Sequence, residues 1–431
     1  MDKKDKFVIE GLSGEKTLEG EIDVKGSKNA ALPLMASAVL FDNPIILENV
    51  PEIEDVVCMS ELLKSLGIST DFEKDEMKID ATAINDSNMD RDVSRKIRAS
   101  IFLVGPILAR LGKVSFPHPG GCVIGNRPID LFLEGFEKMG AEIKEEEERY
   151  FIEAPNKKLK GAEIFFRVQS VSATATFMMT AVLAEGKTIL KNIAMEPEVL
   201  ALGEFLKSRG AKISGLGTST LEIEGGELLS GNGEKIRVIP DRLEAGCFLV
   251  LGALAAKNLK IKNCNPDHLE ILVELLKKSG VEIEVGHDFL SVTNSNPSKV
   301  FSGFDIKTHE YPGFPTDLQA PITVFLTQTE GESHVFETIF ESRLNYTEDL
   351  VKMGADIVMW DPHRVMVKGP TPLRGKDLEG PDIRAGLAFL IAAVIASKSS
   401  IINNVYYIDR GYEKIEERLQ KIGVNIERVS E

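Results

Sequence analysis

A single cysteine lies in a glycine-rich stretch of this sequence, FPHPGGCVIGNRPIDL, which begins at Phe116. Cys122 follows two glycines and precedes the guanidinium of Arg127. Glycine gives the backbone access to positive φ and to a close approach to a ligand, and a nearby cation favours thiolate over thiol. The stretch therefore predicts either a reactive thiol in a turn or a small apolar cysteine that fills a gap, and isolated motifs are often the latter.

Charged and amide side chains recur just before apolar segments of the chain. They are Lys28 and Asn29 in VKGSKNAALP, Arg98 in SRKIRASI, Asp317 in PTDLQAP, and Asp382 and Arg384 in PDIRAGL. Arg410, in YYIDRGYEKIEE, is predicted at the N-terminus of an amphipathic helix. Cations at helix starts suit a phosphate or a carboxylate. Each residue alone could be a solvated charge or a helix cap, but recurrence at one position favours a binding site.

The elements that must position these residues repeat six times. A helical segment that ends in glycine and passes into a short alternating strand recurs about every 70 residues. The glycines are Gly67, Gly140, Gly210, Gly280, Gly354 and Gly423. Each is predicted to follow its helix in the left-handed conformation. An apolar segment such as SATATFMMTAVLAEG precedes each copy and predicts a buried helix, because it is apolar nearly all round.

The repeat therefore predicts an α/β fold whose unit is strand, buried helix, strand, amphipathic helix, strand, strand. Six units divide as three plus three, which predicts two domains with boundaries near residues 23 and 237. One is residues 24–237, with the cysteine stretch, and the other joins 1–23 to 238–431. The active site is expected in the cleft between the two domains.

Composition narrows the class of protein. The chain of 431 residues has 51 basic and 67 acidic residues and a net charge of −16, which argues against a general binder of nucleic acid or anionic membrane. Its four cysteines show no metal-ligand spacing and no disulfide framework, which favours a reducing compartment. The start has no apolar signal segment, and no run is long enough to span a membrane. A cytoplasmic enzyme without a metal or other cofactor is expected.

The chain resembles the UDP-N-acetylglucosamine enolpyruvyl transferase family along essentially its whole length. The resemblance is carried by GSKNAALP, RASIFLVGP, PGGCVIGNRPIDL, SVSATAT, EPEV, PDRLEAG, FPTDLQA and YYIDRGYEKIEERL. It implies two inside-out α/β barrels of three repeats each. It also implies transfer of the enolpyruvyl group of phosphoenolpyruvate to the 3-hydroxyl of UDP-N-acetylglucosamine with release of phosphate. That reaction is the first committed step of peptidoglycan synthesis.

The same resemblance implies a role for each matching residue. Cys122 is the general acid, on a glycine-rich lid, and Asp317 is the base. Lys28, Arg127 and Arg410 contact the phosphate and carboxylate of phosphoenolpyruvate, with Arg384 beside the carboxylate and Asn29 nearby; Lys28 and Arg410 count as catalytic too. The residues implied for the nucleotide sugar are Arg98, Arg127, Pro128, Ile129, Asp130, Leu131, Gln169, Ser170, Val171, Asp317 and Ile339. The two substrates are the expected partners, with no nucleic acid, membrane or obligate protein partner.

Three residues depart from the family pattern. Ser172 stands where the family has a glycine, Val168 where many members have a basic residue, and Phe132 where a histidine is common. Arg167 could supply the missing charge, although an adjacent side chain would point elsewhere. These changes bear on nucleotide affinity more than on the chemistry. Two alternatives stay open: a shikimate-type enolpyruvyl transferase, disfavoured by the GGCVIG stretch, and a non-catalytic paralogue that binds nucleotide sugar.

Overall fold

The computed structural model describes residues 5–118, 128–380 and 382–430. These residues form two compact units. The central unit comprises residues 26–118 and 128–239, and the terminal unit comprises residues 5–25, 240–380 and 382–430. Each unit has its own hydrophobic core.

The described residues contain 14 α-helices. They are α1 (Lys28–Ser37), α2 (Glu54–Ser65), α3 (Arg91–Lys96), α4 (Ile101–Leu111), α5 (Asp130–Lys138), α6 (Val171–Val182), α7 (Pro197–Ser208), α8 (Arg242–Ala255), α9 (Glu270–Ser279), α10 (Gln319–Leu326), α11 (Thr347–Met353), α12 (Ile383–Ile395), α13 (Tyr406–Asp409) and α14 (Ile415–Lys421).

The predicted buried helices are confirmed. They are α1, α4, α6, α8, α10 and α12, and nearly all their residues are buried. In α12, every residue from Arg384 to Ile395 is buried. Small residues let these helices pack closely: a Cβ at Gly105 of α4 would meet the Thr180 hydroxyl of α6 at 2.1 Å. Burial on all sides follows from a sequence that is apolar all round.

The predicted glycine ends of the second helices are confirmed as well. The six glycines have φ between 83° and 108°. In every copy, the N–H that follows the glycine donates to the carbonyl oxygen five residues earlier, as from Ile68 to Leu63 and from Val424 to Leu419. This is the Schellman arrangement, which satisfies carbonyls that the helix end leaves open. The helix therefore stops at a fixed residue and the chain turns into a strand.

The described residues contain 24 strands. They are β1 (Lys6–Glu10), β2 (Leu18–Asp23), β3 (Ile45–Glu48), β4 (Ser69–Glu73), β5 (Glu76–Asp80), β6 (Lys113–Pro117), β7 (Glu142–Glu146), β8 (Arg149–Glu153), β9 (Glu163–Phe165), β10 (Lys187–Lys191), β11 (Lys212–Ser214), β12 (Thr220–Glu224), β13 (Lys235–Arg237), β14 (Ala256–Lys262), β15 (Glu282–Val285), β16 (Phe289–Thr293), β17 (Phe301–Ser302), β18 (Ile306–Lys307), β19 (Thr329–Phe336), β20 (Asp356–Asp361), β21 (Arg364–Gly369), β22 (Asp377–Glu379), β23 (Ser399–Asn403) and β24 (Asn425–Val429).

Across the described part of the chain, these strands form six small sheets. The orders in the central unit are β13-β3-β5-β4, β6-β8-β7 and β11-β12-β10-β9. Those in the terminal unit are β15-β16-β14-β2, β17-β19-β21-β20 and β22-β23-β1-β24. The strand that follows each buried helix pairs antiparallel with one neighbour. In five of the sheets its other neighbour is parallel to it, as β2 is to β14 and β22 is to β23.

The first two strands of the chain pair within the terminal unit. β2 pairs in parallel with β14. β1 lies between β23 and β24 and pairs antiparallel with both. Phe7 lies opposite Ile402 of β23, and Lys6 lies opposite Val429 of β24. The two ends of the chain are therefore joined in one sheet.

No helix among the described residues is long and apolar enough to cross a membrane. The same residues contain no group of three or more His, Cys, Asp or Glu side chains placed to hold a metal ion.

Candidate active site

Asp317 is the centre of an ion-paired cluster in the terminal unit. It lies in a single 3-10 turn, Thr316–Leu318, that leads directly into buried helix α10. One carboxylate oxygen is 2.7 Å from Nη2 of Arg343, and the other accepts a 2.9 Å hydrogen bond from Nε of Arg384. The Asp317 side chain is 26% exposed, whereas the two arginine side chains are 3% and 6% exposed. A partly accessible carboxylate is thus held by two buried cations.

Arg384 is fixed from two sides. It lies in the first turn of α12, whose N-cap Asp382 accepts hydrogen bonds from the backbone N–H groups of Arg384 and Ala385. Its Nη1 donates a 2.7 Å hydrogen bond to the hydroxyl of Tyr412. Burial raises the pKa of Tyr412 well above its ordinary value, so the phenol stays neutral and can accept this bond. The Arg384 guanidinium therefore has one orientation, aimed at Asp317.

Sequence reasoning missed Arg343 and Tyr412. Arg343 follows β19 in a turn, not at the start of a buried helix, so the pattern of polar residues before apolar segments does not include it. Tyr412 follows Arg410 in the motif YYIDRGYEKIEE, where nothing sets it apart from the other tyrosines. The only sequence signal for Arg343 is a charged residue directly before the apolar Leu344 and Tyr346, which is weak.

Arg410 is not at the start of an amphipathic helix, and that prediction was wrong. It directly follows the short helix α13, and its backbone N–H bonds back to the carbonyl of Tyr406. The amphipathic helix α14 begins only at Ile415. The sequence pattern missed the short helix because four residues carry too little periodicity. α13 packs on α12, which carries Arg384.

Ile339 is placed by its backbone. Its N–H donates a 2.8 Å hydrogen bond to Oε1 of Glu337, a fully buried carboxylate that directly follows β19. Ile339 itself is half-buried. The same segment contains Arg343, so a predicted nucleotide-sugar residue and a partner of Asp317 share one turn.

Lys28 and Asn29 are the first two residues of α1 in the central unit, as predicted for residues at helix starts. Nζ of Lys28 is 3.2 Å from Oδ2 of Asp55, in the first turn of α2, and the two side chains are 11% and 5% exposed. Asn29 is half-buried. The Lys28 ammonium is therefore held in position by Asp55, whose carboxylate offsets its charge.

The other described residues implied for the nucleotide sugar lie at or near starts of helices in the central unit. Arg98 begins a 3-10 turn that leads into α4 and is half-buried. Pro128 is exposed, Ile129 and Leu131 are buried, and Asp130 begins α5. Gln169 donates a long 3.5 Å hydrogen bond to Asn192, and Ser170 caps α6 by accepting from the Ala173 N–H at 3.2 Å. Val171 is the first residue of that helix.

The departures from the family pattern lie in the same region. Ser172 is the second residue of α6, a helical position that needs no glycine, and its hydroxyl is 3.4 Å from that of Ser170. Val168 is 59% exposed. Arg167 pairs with the Asp130 carboxylate and lies 3.6 Å from Glu134. The neighbouring arginine therefore does reach one of the predicted nucleotide-sugar residues.

Phe132, the third departure, is buried. Its ring stacks on Phe177 of α6, with ring centroids 6.3 Å apart. A phenyl ring here joins the core of the central unit, in contact with α6.

Cys122 and Arg127 lie outside the described residues, and their predicted roles stay predictions. The other cysteines, Cys58, Cys247 and Cys264, are free and buried. Burial raises the pKa of Cys58 and of Cys264 to about 11, and it raises that of Cys247 further. None of these three has the thiolate character that a reactive cysteine needs.

The family model for EPSP synthase (3-phosphoshikimate 1-carboxyvinyltransferase) matches residues 12–419. Among solved structures, the enolpyruvyl transferase NikO from Streptomyces tendae is similar over 100% of both chains, with a TM-score of 0.87 and 21% identity. EPSP synthase from Acinetobacter baumannii has a TM-score of 0.74 and 18% identity over 99% of this chain and 100% of its own. The chain therefore belongs to this family of enolpyruvyl transferases and has their mixed α/β fold.

Relatives of higher identity indicate its place within the family. UDP-N-acetylglucosamine 1-carboxyvinyltransferase from Koribacter versatilis is 43% identical over 99% of this chain and 97% of its own. The protein of the same name from Halothermothrix orenii is 41% identical over 98% of this chain and 99% of its own. The family resemblance predicted from GGCVIG and the other motifs is confirmed.

Proposed function

We propose that the protein transfers the enolpyruvyl group of phosphoenolpyruvate to the 3-hydroxyl of UDP-N-acetylglucosamine and releases phosphate, the first committed step of peptidoglycan synthesis. The observation that carries the proposal is the Asp317 cluster. It offers a carboxylate with partial access to solvent and two buried guanidinium groups at 2.7 and 2.9 Å. The 41–43% identity with transferases of this name supports the choice of acceptor.

In this proposal, Asp317 takes the proton of the sugar hydroxyl as the oxygen attacks C2 of phosphoenolpyruvate. Cys122 delivers its thiol proton to the methylene carbon, which gives a tetrahedral adduct. The Cys122 thiolate then takes back a proton from the new methyl group, and phosphate leaves with the proton held by Asp317, which forms the enolpyruvyl ether and restores both residues. General acid and general base groups typically contribute about 10²–10⁴-fold each.

The anionic groups of phosphoenolpyruvate need fixed cations. We assign its phosphate and carboxylate to Lys28, Arg127 and Arg410, with Arg384 beside the carboxylate and Asn29 close by. Buried arginine suits this task because its planar fork binds a carboxylate or phosphate through two hydrogen bonds. Entry of the substrate carboxylate would give Arg384 a second anion and loosen its hold on Asp317, which frees the base when phosphoenolpyruvate is bound.

The nucleotide sugar is assigned to Arg98, residues 127–131, residues 169–171 and Ile339, with Asp317 facing the 3-hydroxyl. The half-buried positions of Arg98 and Ile339, each at the edge of a turn, support this assignment. For the architecture, we propose two inside-out barrels of three repeats, with domain boundaries near residues 23 and 237. The six buried helices and six sheets support that arrangement. The expected location of the active site between the domains stays a prediction.

The decisive experiment measures release of inorganic phosphate from phosphoenolpyruvate by the purified protein. UDP-N-acetylglucosamine is the expected acceptor, and shikimate 3-phosphate is the comparison. Release with the first alone supports the proposal. Release with the second alone assigns the protein to the shikimate-type transferases, and release with neither, while UDP-N-acetylglucosamine binds, identifies a non-catalytic paralogue.

A further inference from the structure

Glu337 is a carboxylate that the proposed chemistry leaves unused, although it is fully buried. Its backbone is held on both sides: its N–H donates to the His363 carbonyl, and Nδ1 of His363 lies 2.8 Å from the Glu337 carbonyl oxygen. The next residue, Thr338, donates two hydrogen bonds to Thr308, from its hydroxyl at 2.7 Å and from its backbone N–H at 2.8 Å. The carboxylate therefore projects from a rigid segment.

Both oxygens of this carboxylate are in use. Oε1 accepts from the backbone N–H groups of Ile339 and Phe340, at 2.8 and 3.2 Å. Oε2 accepts a 2.8 Å hydrogen bond from the hydroxyl of Thr316. Thr316 is the residue before Asp317, so one buried charge joins the Ile339 turn to the turn of the proposed base.

The Thr316 hydroxyl has only one possible hydrogen-bond direction. Nη1 of Arg343 donates to it at 2.9 Å. A guanidinium can only donate, and an ionised carboxylate can only accept, so the hydroxyl proton must point to Glu337. The second nitrogen of the same guanidinium, Nη2, holds Asp317 at 2.7 Å. Glu337 thus orients Thr316, Thr316 orients Arg343, and Arg343 orients Asp317.

We propose that Glu337 is a positioning residue for the transfer reaction, which sets the orientation and charge balance of Asp317 through Thr316 and Arg343 and fixes the Ile339 backbone. The inference rests on the proposed function. Glu337 contacts no reacting group in this scheme, and its negative charge offsets part of the positive charge that Arg343 presents to Asp317. Without it, the arginine pair would hold Asp317 more tightly in its ionised form and make it a weaker base.

Other titratable and charged groups face this network from the elements packed around it. They are Arg384 on α12, Tyr412 after α13, Asp241 at the N-cap of α8, Cys247 on α8, Tyr346 before α11, and His363 between β20 and β21. None of these six residues is substituted in the Glu337 and Thr316 variants that test the proposal.

The test compares Glu337→Gln with the parent protein in the phosphate-release assay from pH 5 to pH 9. The amide nitrogen of glutamine cannot accept a hydrogen bond from the Thr316 hydroxyl, so the variant loses the bond that joins residue 337 to Thr316. We expect kcat to fall by about 10- to 100-fold, as for other residues that orient a reacting group. The acidic limb of the kcat profile should move to lower pH by about half a unit, because a nearby negative charge is lost.

Two threonine variants test the relay itself. Thr316→Val removes the hydroxyl but keeps the Glu337 charge, so it should reproduce the fall in kcat while moving the acidic limb little. Thr316→Ser retains the hydroxyl and should restore the parent profile. The matched control is Glu244→Gln, because Glu244 is also a buried carboxylate of this unit and pairs with Arg418 at 2.6 Å. It should lower the thermal midpoint without moving the acidic limb.

The outcomes separate the two proposals. An active parent protein whose acidic limb and kcat are unchanged in a folded Glu337→Gln variant overturns the positioning role alone. That role is equally overturned if Glu244→Gln shifts the limb by the same amount, or if Thr316→Ser behaves like Thr316→Val. A parent protein active only with shikimate 3-phosphate overturns the proposed acceptor, and the limb shift is then read with that acceptor. A parent protein inactive with both overturns the function and, with it, this inference.

Discussion

The ion pairs of Asp317 and of Asp130 differ in how far they are exposed to water. Asp317 is held by two arginine side chains that are 3% and 6% exposed. Asp130 is held by Arg167, and both side chains are about half exposed, at 46% and 56%. The family resemblance implies that both aspartates contact the nucleotide sugar, but only Asp317 is part of a buried network.

This difference predicts where substitutions will act. Removing one partner of a buried pair leaves a charge without compensation, whereas an exposed pair is screened and contributes about 0–1 kcal/mol. Changes near Asp317 should therefore alter turnover. Changes near Asp130 should alter the affinity for nucleotide sugar by small factors.

The largest effect is expected for Asp317→Asn, which keeps the shape of the side chain and removes the proposed base. Turnover should fall by about 10²-fold or more, with little change in nucleotide-sugar binding. Steady-state phosphate release and calorimetric binding measure the two quantities. Near-normal turnover in this variant would remove Asp317 from the mechanism.

The cysteines extend the contrast between buried and accessible groups. Cys58 and Cys264, with pKa values raised to about 11 by burial, should react with electrophiles about 10²-fold more slowly than an ordinary thiol at neutral pH. Fosfomycin, a phosphonate with an epoxide, should form one adduct, at Cys122, faster with nucleotide sugar present. Intact-mass analysis and peptide mapping locate it. Cys122→Asp should form no adduct, although its carboxylic acid can still deliver the proton for turnover. An adduct on another cysteine would contradict the assignment.

A smaller effect is expected for Arg384→Lys. Lysine keeps the charge but cannot bond Asp317 and Tyr412 at once in the fixed geometry of a guanidinium. Loss of one hydrogen bond to a charged group predicts a fall in kcat of about tenfold. Tyr412→Phe is the matched control, since it removes only the acceptor of that second bond. Equal turnover in Arg384→Lys and the parent protein would show that charge alone is required.

The smallest effect is expected at the exposed site. Val168→Lys restores the basic residue common in the family and should lower the Kd for UDP-N-acetylglucosamine by about fivefold or less, with kcat unchanged. Arg167→Ala should raise that Kd by a similar factor, and both effects should shrink at high salt. A change of about 100-fold in either variant would mean that the comparison between the two regions is wrong.

What the sequence could predict was local. The six glycines after helices are predictable because a helix end is decided by a few neighbouring residues, and each has the expected positive φ. The buried helices are predictable because an apolar segment has few other places to go. The positions of Lys28, Asn29, Arg98, Asp317 and Arg384 at helix starts follow from the same reasoning.

What the sequence could not predict depends on tertiary contacts. Arg343 and Glu337 reach Asp317 and Thr316 only because the turn after β19 packs beside the start of α10. No pattern of spacing encodes that contact. Arg410 was misplaced because a four-residue helix stands before the amphipathic one, and the pairing of Arg167 with Asp130 depends on side-chain direction.

The position of β1 has a consequence for biosynthesis. The ribosome makes this strand long before its two neighbours, β23 and β24. Until about 400 further residues have emerged, both edges of β1 lack their native partners. The apolar side chains of Phe7 and Ile9, fully buried in the finished protein, are meanwhile exposed to chaperones and to other nascent chains. The final sheet therefore closes only after β23 and β24 have been made, and removal of β1 or of β24 should leave the same sheet unfinished.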